Sequence, residues 1–304
     1  MFARIVVAPL LCALSACAFT PAPQFEVGEP LIFGEQKAFL DSCEDWDEWD
    51  KPAPTFHIYG NTYYVGTCGI SAILVTDDNG HTLIDTGTDD GAKVVLANIA
   101  ALGIDPKSIS TILMSHEHYD HIGGIARVQA ATGADIVATA KAANVLRSGL
   151  PEDDDPQHGS EHPQFPPVTT PIDVIDEFTA LHSKAWKFAP IFTPGHTPGA
   201  LSWQWRSCDA DGGCVTIVYA DSLSPVSSDA YRFTEHPQYI AEYREGLQRL
   251  REVECDLLLT PHPSASDMLS RMKSGTLVGG LSCRDYADRV EQRLDERLAK
   301  ERSQ

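Results

Sequence analysis

The segment Ser115-His116-Glu117-His118-Tyr119-Asp120-His121 places three imidazoles and a carboxylate within six residues. Chance supplies three histidines at those offsets only about 0.014 times in a chain of this composition, so surface histidines on a turn are a poor account of it. Imidazole nitrogen and carboxylate oxygen are ligands that zinc takes. His116 and His118, two apart, can converge on one ion, while the Asp120–His121 pair points elsewhere and can hold a second. Two single histidines complete the set. His196 lies in Thr193-Pro194-Gly195-His196-Thr197-Pro198-Gly199 and His262 in Thr260-Pro261-His262-Pro263, each where an apolar run gives way to a turn. Mouths of strands are where sheet proteins carry sites. Six donors match two three-ligand ions with open positions, the catalytic rather than the structural arrangement for zinc. Zinc lowers the pKa of bound water from about 15.7 to about 7 and so makes hydroxide available at neutral pH. Neither a Ser-His-Asp triad nor a nucleophilic cysteine stands out. Of the other histidines, His57, His81, His182 and His236 have no such context, and His158 and His162 are candidate loop contacts near a substrate.

Short β-like runs position these residues. Residues 62–65, 71–76, 82–85, 111–114 and 135–138 are rich in Val, Ile, Thr and Tyr and bounded by Gly, Asn or Asp. Val94, Val95, Ile99 and Leu102 recur at helical spacing, with Asp89 or Asp90 as the N-cap and Gly103 as the stop. Further strands are expected at 187–193, 201–205, 214–220 and 256–260. Helices are expected at 237–251 and 282–300, where Tyr286, Val290, Leu294 and Leu298 recur every four residues. Two halves of β-then-α order predict an α/β fold of two sheets face to face with helices outside. Residues 149–171 form a long polar, Pro-rich stretch without periodicity, functional or disordered by its length. It is a candidate cover for a ligand, with Phe165 as its apolar contact.

The chain has 304 residues, 43% of them hydrophobic, and a net charge of -20. That composition fits a globular protein with a buried core, and the acidity repels phosphate backbones, which excludes nucleic acid as a partner. Residues 1–16 read as a signal peptide: Arg4, an apolar stretch over 5–14 too short to span a bilayer, then Ser15 and Ala16. Leu14-Ser15-Ala16-Cys17 has the form of a bacterial lipobox, in which Cys17 is acylated; ordinary cleavage nearby is the alternative. Either predicts export to the periplasm, the first with a lipid anchor to the outer membrane of a Gram-negative cell. Residues 17–55 read as an extended, acidic and Pro-rich lead-in carrying Trp46 and Trp49 and lying over the body, and 56–304 as the folded domain. With Cys12 and Cys17 set aside, Cys43, Cys68, Cys208, Cys214, Cys255 and Cys283 form an even set for an oxidising compartment. Six cysteines allow 15 pairings; pairing of neighbours (43 with 68, 208 with 214, 255 with 283) is the simplest. A bridge closing the last loop contributes about 3–4 kcal/mol on the chain-entropy model.

With the His-x-His-x-Asp-His segment, the Pro-Gly-His-Thr-Pro-Gly turn, Tyr219-Ala220-Asp221-Ser222-Leu223 and the late Pro-His-Pro, the chain resembles the metallo-β-lactamase superfamily. More narrowly it resembles subclass B3 of the class B β-lactamases. The resemblance covers about 56–290. It implies an αββα sandwich, two mixed sheets face to face with helices outside, holding two zinc ions per chain at one edge. By it, His116, His118 and His196 hold the first ion, and Asp120, His121 and His262 the second. Ser222 and Ser224 match positions that contact the substrate carboxylate or a water. Asp85 matches an acid that supports the metal loop, with a turn-capping role as the alternative. The Cys255–Cys283 bridge and export also fit. The implied activity is hydrolysis of the β-lactam amide of penicillins, cephalosporins and carbapenems by a metal-bound hydroxide oriented by Asp120, conferring antibiotic resistance on the host, by a chain acting as a monomer.

Two other readings stay open. In many hydrolases of the superfamily an aspartate near position 221 bridges both metals. Asp221 in that role would favour an exported hydrolase of lactones, thioesters or phosphoesters, because fold does not fix function. A non-catalytic zinc-binding lipoprotein would bind metal without turning over any substrate.

Overall fold

The computed structural model of the protein describes residues 34–160, 162–178 and 187–304. The signal residues 1–16, Cys17, the start of the lead-in and His182 lie outside the described residues.

Eleven described strands form two sheets. In the first, β1 (Phe56–Tyr59), β2 (Thr62–Tyr64), β3 (Ile73–Val75) and β4 (His81–Ile84) run as an antiparallel meander, and β5 (Ile109–Leu113), β6 (Asp135–Thr139) and β7 (Ile172–Ile175) continue it in parallel. In the second, β8 (Ala189–Phe192), β9 (Leu201–Cys208) and β10 (Cys214–Tyr219) are antiparallel neighbours, and β11 (Leu257–Leu259) pairs in parallel with β10. Strands β3 and β11 are buried at every residue, which explains why they read as short apolar runs rather than alternations.

The period of two along each strand sorts its side chains between layers. Ile73, Ile84, Leu113, Ile217, Tyr219, Leu257 and Leu259 meet between the sheets, with Trp203 and Trp205. Leu74, Leu83, Ile112 and Ile136 face outward onto α2 (Gly91–Ala101), α4 (Ile125–Thr132) and α5 (Ala140–Ser148). On the other side Val218 and Leu258 face α6 (Pro237–Glu252) and α8 (Cys283–Arg302), which supply Leu247, Leu250, Tyr286, Val290, Leu294 and Leu298. The result is the expected αββα sandwich. Ser282 caps α8 reciprocally with Asp285, the two-way cap that satisfies orphan N–H groups. Asp90 precedes α2 without a side-chain cap, and the helix closes at Leu102 just before Gly103, φ +76.

The lead-in departs from expectation. Residues 34–42 form α1 (Gly34–Ser42), not an extended strip, and Phe39 packs on Phe56 and Tyr64 at ring separations of 5.0 and 5.1 Å. Burying one such ring contributes roughly 1.5–3 kcal/mol, enough to dock a short helix that is marginal alone. Cys43 is paired with Cys68, and the structure likewise pairs Cys208 with Cys214 and Cys255 with Cys283. No helix among the described residues is long and apolar enough to cross a membrane.

Candidate metal centre

The strands that point the same way deliver their loops to one edge. Asp85 follows β4, His116–His121 follows β5, His196 follows β8, Asp221 and Ser222 follow β10, and His262 follows β11. Directly after β5, His118 is extended (φ −85°, ψ 153°) and starts α3 (Tyr119–Ile122), a single turn. This change of direction sends His118 one way and Asp120 with His121 the other.

His116, His118 and His196 each bring one nitrogen within 4.8 Å of the others. Each imidazole is held from behind through its remaining nitrogen. His116 Nδ1 donates to Asp221 Oδ1 at 2.7 Å, His118 Nε2 to Asp155 Oδ2 at 2.9 Å, and His196 Nδ1 to the Ser224 carbonyl at 2.9 Å. That leaves His116 Nε2, His118 Nδ1 and His196 Nε2 for a ligand role; His116 Nε2 is buried without a hydrogen-bond partner, and His196 Nε2 has a long contact of 3.4 Å with Gln157 Nε2. A carboxylate or carbonyl behind a ring nitrogen fixes tautomer and orientation, the usual support of a metal-ligating histidine. Burial, with His116 and His118 alongside, drives His196 down to about 3, so it stays neutral, as a ligand must.

The other cluster centres on Asp120. His121 Nε2 lies 2.9 Å and His262 Nε2 3.3 Å from Asp120 Oδ2. His121 is fully buried, yet neither of its nitrogens makes an aligned hydrogen bond. Burial acts to raise the Asp120 carboxyl, but the His121 and His262 imidazoles hold it well below the usual carboxylate range. His116 also joins Asp120 and His121 within the same 4.8 Å grouping, so the two clusters abut. Orphaned buried nitrogens and a mixed imidazole–carboxylate set fit zinc.

Asp85 sits beneath this loop, in the left-handed region at φ +61°. It accepts from Ser115 N and Ser115 Oγ, both at 2.7 Å, and from the Tyr219 hydroxyl at 2.8 Å. Its Oδ2 lies 3.7 Å from His121 Nδ1. Burial pushes its carboxyl up to about 6. Glu117 faces away from the donors and ties the loop to the His196 turn, accepting from Thr197 Oγ1 at 2.6 Å and Gly199 N at 2.8 Å. A Cβ at Gly199 would stand 2.7 Å from Glu117 Oε1, so only glycine fits that approach.

Beside the donors lies a cavity of about 230 Å³, lined by His118, Asp120, His196, His262, Ser222 and Ser224 together with Trp46, Trp49, Gln157, His162, Val226, Ala265 and Arg293. Ser222 Oγ is buried with no hydrogen-bond partner. Tyr286 donates to the Ser222 carbonyl at 2.7 Å, and Tyr243 donates to the carbonyl of Leu223, whose φ is +49°. These phenols hold a strained turn between the two serines. His162 stacks on His118 at 4.8 Å and bonds Gln157, while His158 turns to the Glu152 carbonyl.

One expectation needs correction, and one open alternative loses its footing. Phe165 does not reach the cavity: it is buried with Val168 and Leu146 against the outer face of the first sheet. The apolar wall comes instead from Trp46 and Trp49 in the lead-in, and from Val226. Asp221 directs its carboxylate to the far nitrogen of His116, away from that ring's orphaned Nε2, which is not the position of a bridging ligand. Asp155 escaped the sequence reading because it is one of several acids in the run Glu152-Asp153-Asp154-Asp155, and only burial singles it out.

The profile of the Metallo-beta-lactamase superfamily matches residues 65–262. Among solved structures, the MIM-2 metallo-beta-lactamase superposes with a TM-score of 0.82 at 49% identity, covering 88% of this chain and 98% of that one. MEM-A1, a subclass B3 metallo-beta-lactamase isolated from a soil metagenome library, superposes with a TM-score of 0.77 at 35% identity, covering 84% and 99%. The hydroxyacylglutathione hydrolase of Albidiferax ferrireducens is 37% identical over 139 residues, 46% of this chain. The chain spans only 42% of that hydrolase's length.

Proposed function

The chain belongs to the metallo-β-lactamase superfamily, and on that premise we propose that it is a subclass B3 enzyme hydrolysing the amide bond of β-lactams. The observation that carries this reading is the set of three imidazoles, each fixed at its far nitrogen, whose remaining nitrogens converge beside the Asp120 cluster. His116, His118 and His196 hold one zinc ion, and Asp120, His121 and His262 a second. Bound zinc supplies Lewis acidity to a carbonyl and lets water act as a nucleophile at neutral pH. Asp120, kept ionised by its two imidazole neighbours, accepts a hydrogen bond from the attacking water and orients it. Ser222 and Ser224 offer hydroxyls to the substrate. Trp46 and Trp49 cover the apolar part of the ligand and shield the reacting carbonyl from bulk water.

We place the protein in the periplasm as a monomer, exported by residues 1–16, anchored through lipid on Cys17 and carrying its six remaining cysteines as three disulfides. The thioester, lactone or phosphoester alternative draws on the hydroxyacylglutathione hydrolase likeness, but it needs Asp221 among the metal donors, and Asp221 backs His116 instead.

The test is to express residues 18–304 in an oxidising compartment and follow hydrolysis of a carbapenem and a chromogenic cephalosporin with and without chelator. Turnover lost to chelator and restored by zinc is the expected result. A protein that retains two zinc ions per chain yet turns over neither substrate would refute it.

A further inference from the structure

Arg289, Arg293 and Arg297 recur every four residues on α8 and share one stripe of the helix. Two of them are engaged. Arg289 Nη1 donates to Asp267 Oδ2 at 2.7 Å, and Arg297 donates to Glu301 Oε1 and Ser227 Oγ, each at 2.7 Å. Arg293, between them, makes no hydrogen bond or ion pair among the described residues. It lines the cavity beside the metal donors instead. Arg293 is exposed, and Arg147, Arg206 and Arg302 are likewise exposed without a side-chain partner among the described residues, so what sets Arg293 apart is its place on the wall of the cavity beside the metal donors. The same cavity presents Ser222 Oγ, 95% buried by the 5% exposure of its residue and without a partner. Arg293 also lies close enough to Tyr243 and Tyr286 to act on them electrostatically, and these phenols bond the carbonyls of Leu223 and Ser222. A guanidinium and a hydroxyl donor beside one cavity make a receptor for a carboxylate, because the guanidinium fork matches its two oxygens.

We propose that Arg293, on the C-terminal helix, is a further anchor for the carboxylate of the β-lactam substrate, beside the serines that the family resemblance already places there. This rests on the β-lactamase reading above. Arg293 acts as a positioning residue: it touches the part of the substrate that does not react and directs the lactam carbonyl toward the metal donors. A chain this acidic repels an anionic ligand at long range, so a local cation at the cavity wall offsets that repulsion where it matters.

The experiment compares the zinc-loaded wild type with Arg293→Ala and Arg293→Lys on a chromogenic cephalosporin and on the methyl ester of its ring carboxylate. Arg293→Ala is expected to raise KM for the free acid about tenfold, the loss typical of one charged hydrogen bond, with kcat changed far less. KM for the ester should stay within about twofold of wild type, and Arg293→Lys should recover part of the loss. Thermal unfolding and zinc content of each variant report folding separately. An unchanged KM for the acid, or an equal rise for acid and ester, overturns the anchor while leaving the lactamase reading intact. No turnover of either compound by the zinc-loaded wild type overturns the lactamase reading, and the anchor falls with it.

Discussion

The two donor clusters are built differently. In the His116, His118 and His196 cluster every imidazole has a dedicated partner behind it, a buried carboxylate for two of the rings and the Ser224 carbonyl for the third. In the Asp120, His121 and His262 cluster the donors lean on one another through Asp120 Oδ2. Support from behind is looser there: Asp85 stands 3.7 Å from His121 Nδ1, and His262 Nδ1 reaches the Gly69 carbonyl at 3.3 Å. Rings fixed before an ion arrives lose less freedom on binding it, so on the proposed two-zinc reading the first cluster is the preorganised one and the second would be completed by its metal. Titration with a competing chromophoric chelator should therefore remove zinc in two steps, the Asp120 cluster first. Release in a single step would erase the distinction.

Substitutions sharpen the same contrast. The largest effect is expected from Asp120→Asn, which removes the charge on which both neighbouring imidazoles converge. Activity should fall on the order of 10²–10³-fold, comparable to losing a main electrostatic element of a catalytic site, and zinc content by metal analysis should drop from two towards one. An intermediate effect is expected from Asp155→Ala and Asp221→Ala, which free the far nitrogens of His118 and His116. Each should weaken zinc at the first cluster about 10–100-fold while the Asp120 cluster keeps its affinity, as competition titration would show. If Asp221→Ala instead strips both ions at once, Asp221 is a bridging ligand and the lactone or thioester reading gains. The smallest effect is expected from Trp46→Ala. Trp46 is 68% exposed, its backbone N–H donates to Ser264 Oγ and its ring lies tilted 5.9 Å from His262, so KM should rise only about three- to fivefold, roughly 1 kcal/mol. An unchanged KM would mean that Trp46 does not cover the ligand.

The donors were legible because most of them are local. His116, His118, Asp120 and His121 sit within one loop, and strand-then-turn signatures mark His196 and His262. The supporting carboxylates were not: Asp155 and Asp221 lie 37 and 105 residues from the rings they hold, and nothing at either position in the chain announces the partner. Phe165 misled because an aromatic in a polar loop resembles a ligand contact, whereas the loop folds back so that Val168 N bonds the Leu146 carbonyl and Phe165 completes the outer core. The lead-in misled only in part. Its acidity and prolines suggested an extended strip over the body, and it does lie on the domain through Phe39 and the Cys43–Cys68 pair, but Gly34–Ser42 is helical and Trp46 and Trp49 become cavity wall.

Residue type and short-range spacing thus determined the ligand chemistry, the alternation of strand and helix, and the edge of the sheets where the loops collect, because each depends on neighbours a few residues apart. Tertiary structure alone decided which carboxylates fix which rings, which aromatics wall the cavity and which arginine is left unpaired. Those choices depend on burial and on contacts between segments up to a hundred or more residues apart, where the free energy of a buried, unpaired polar group selects the partner and the local sequence does not.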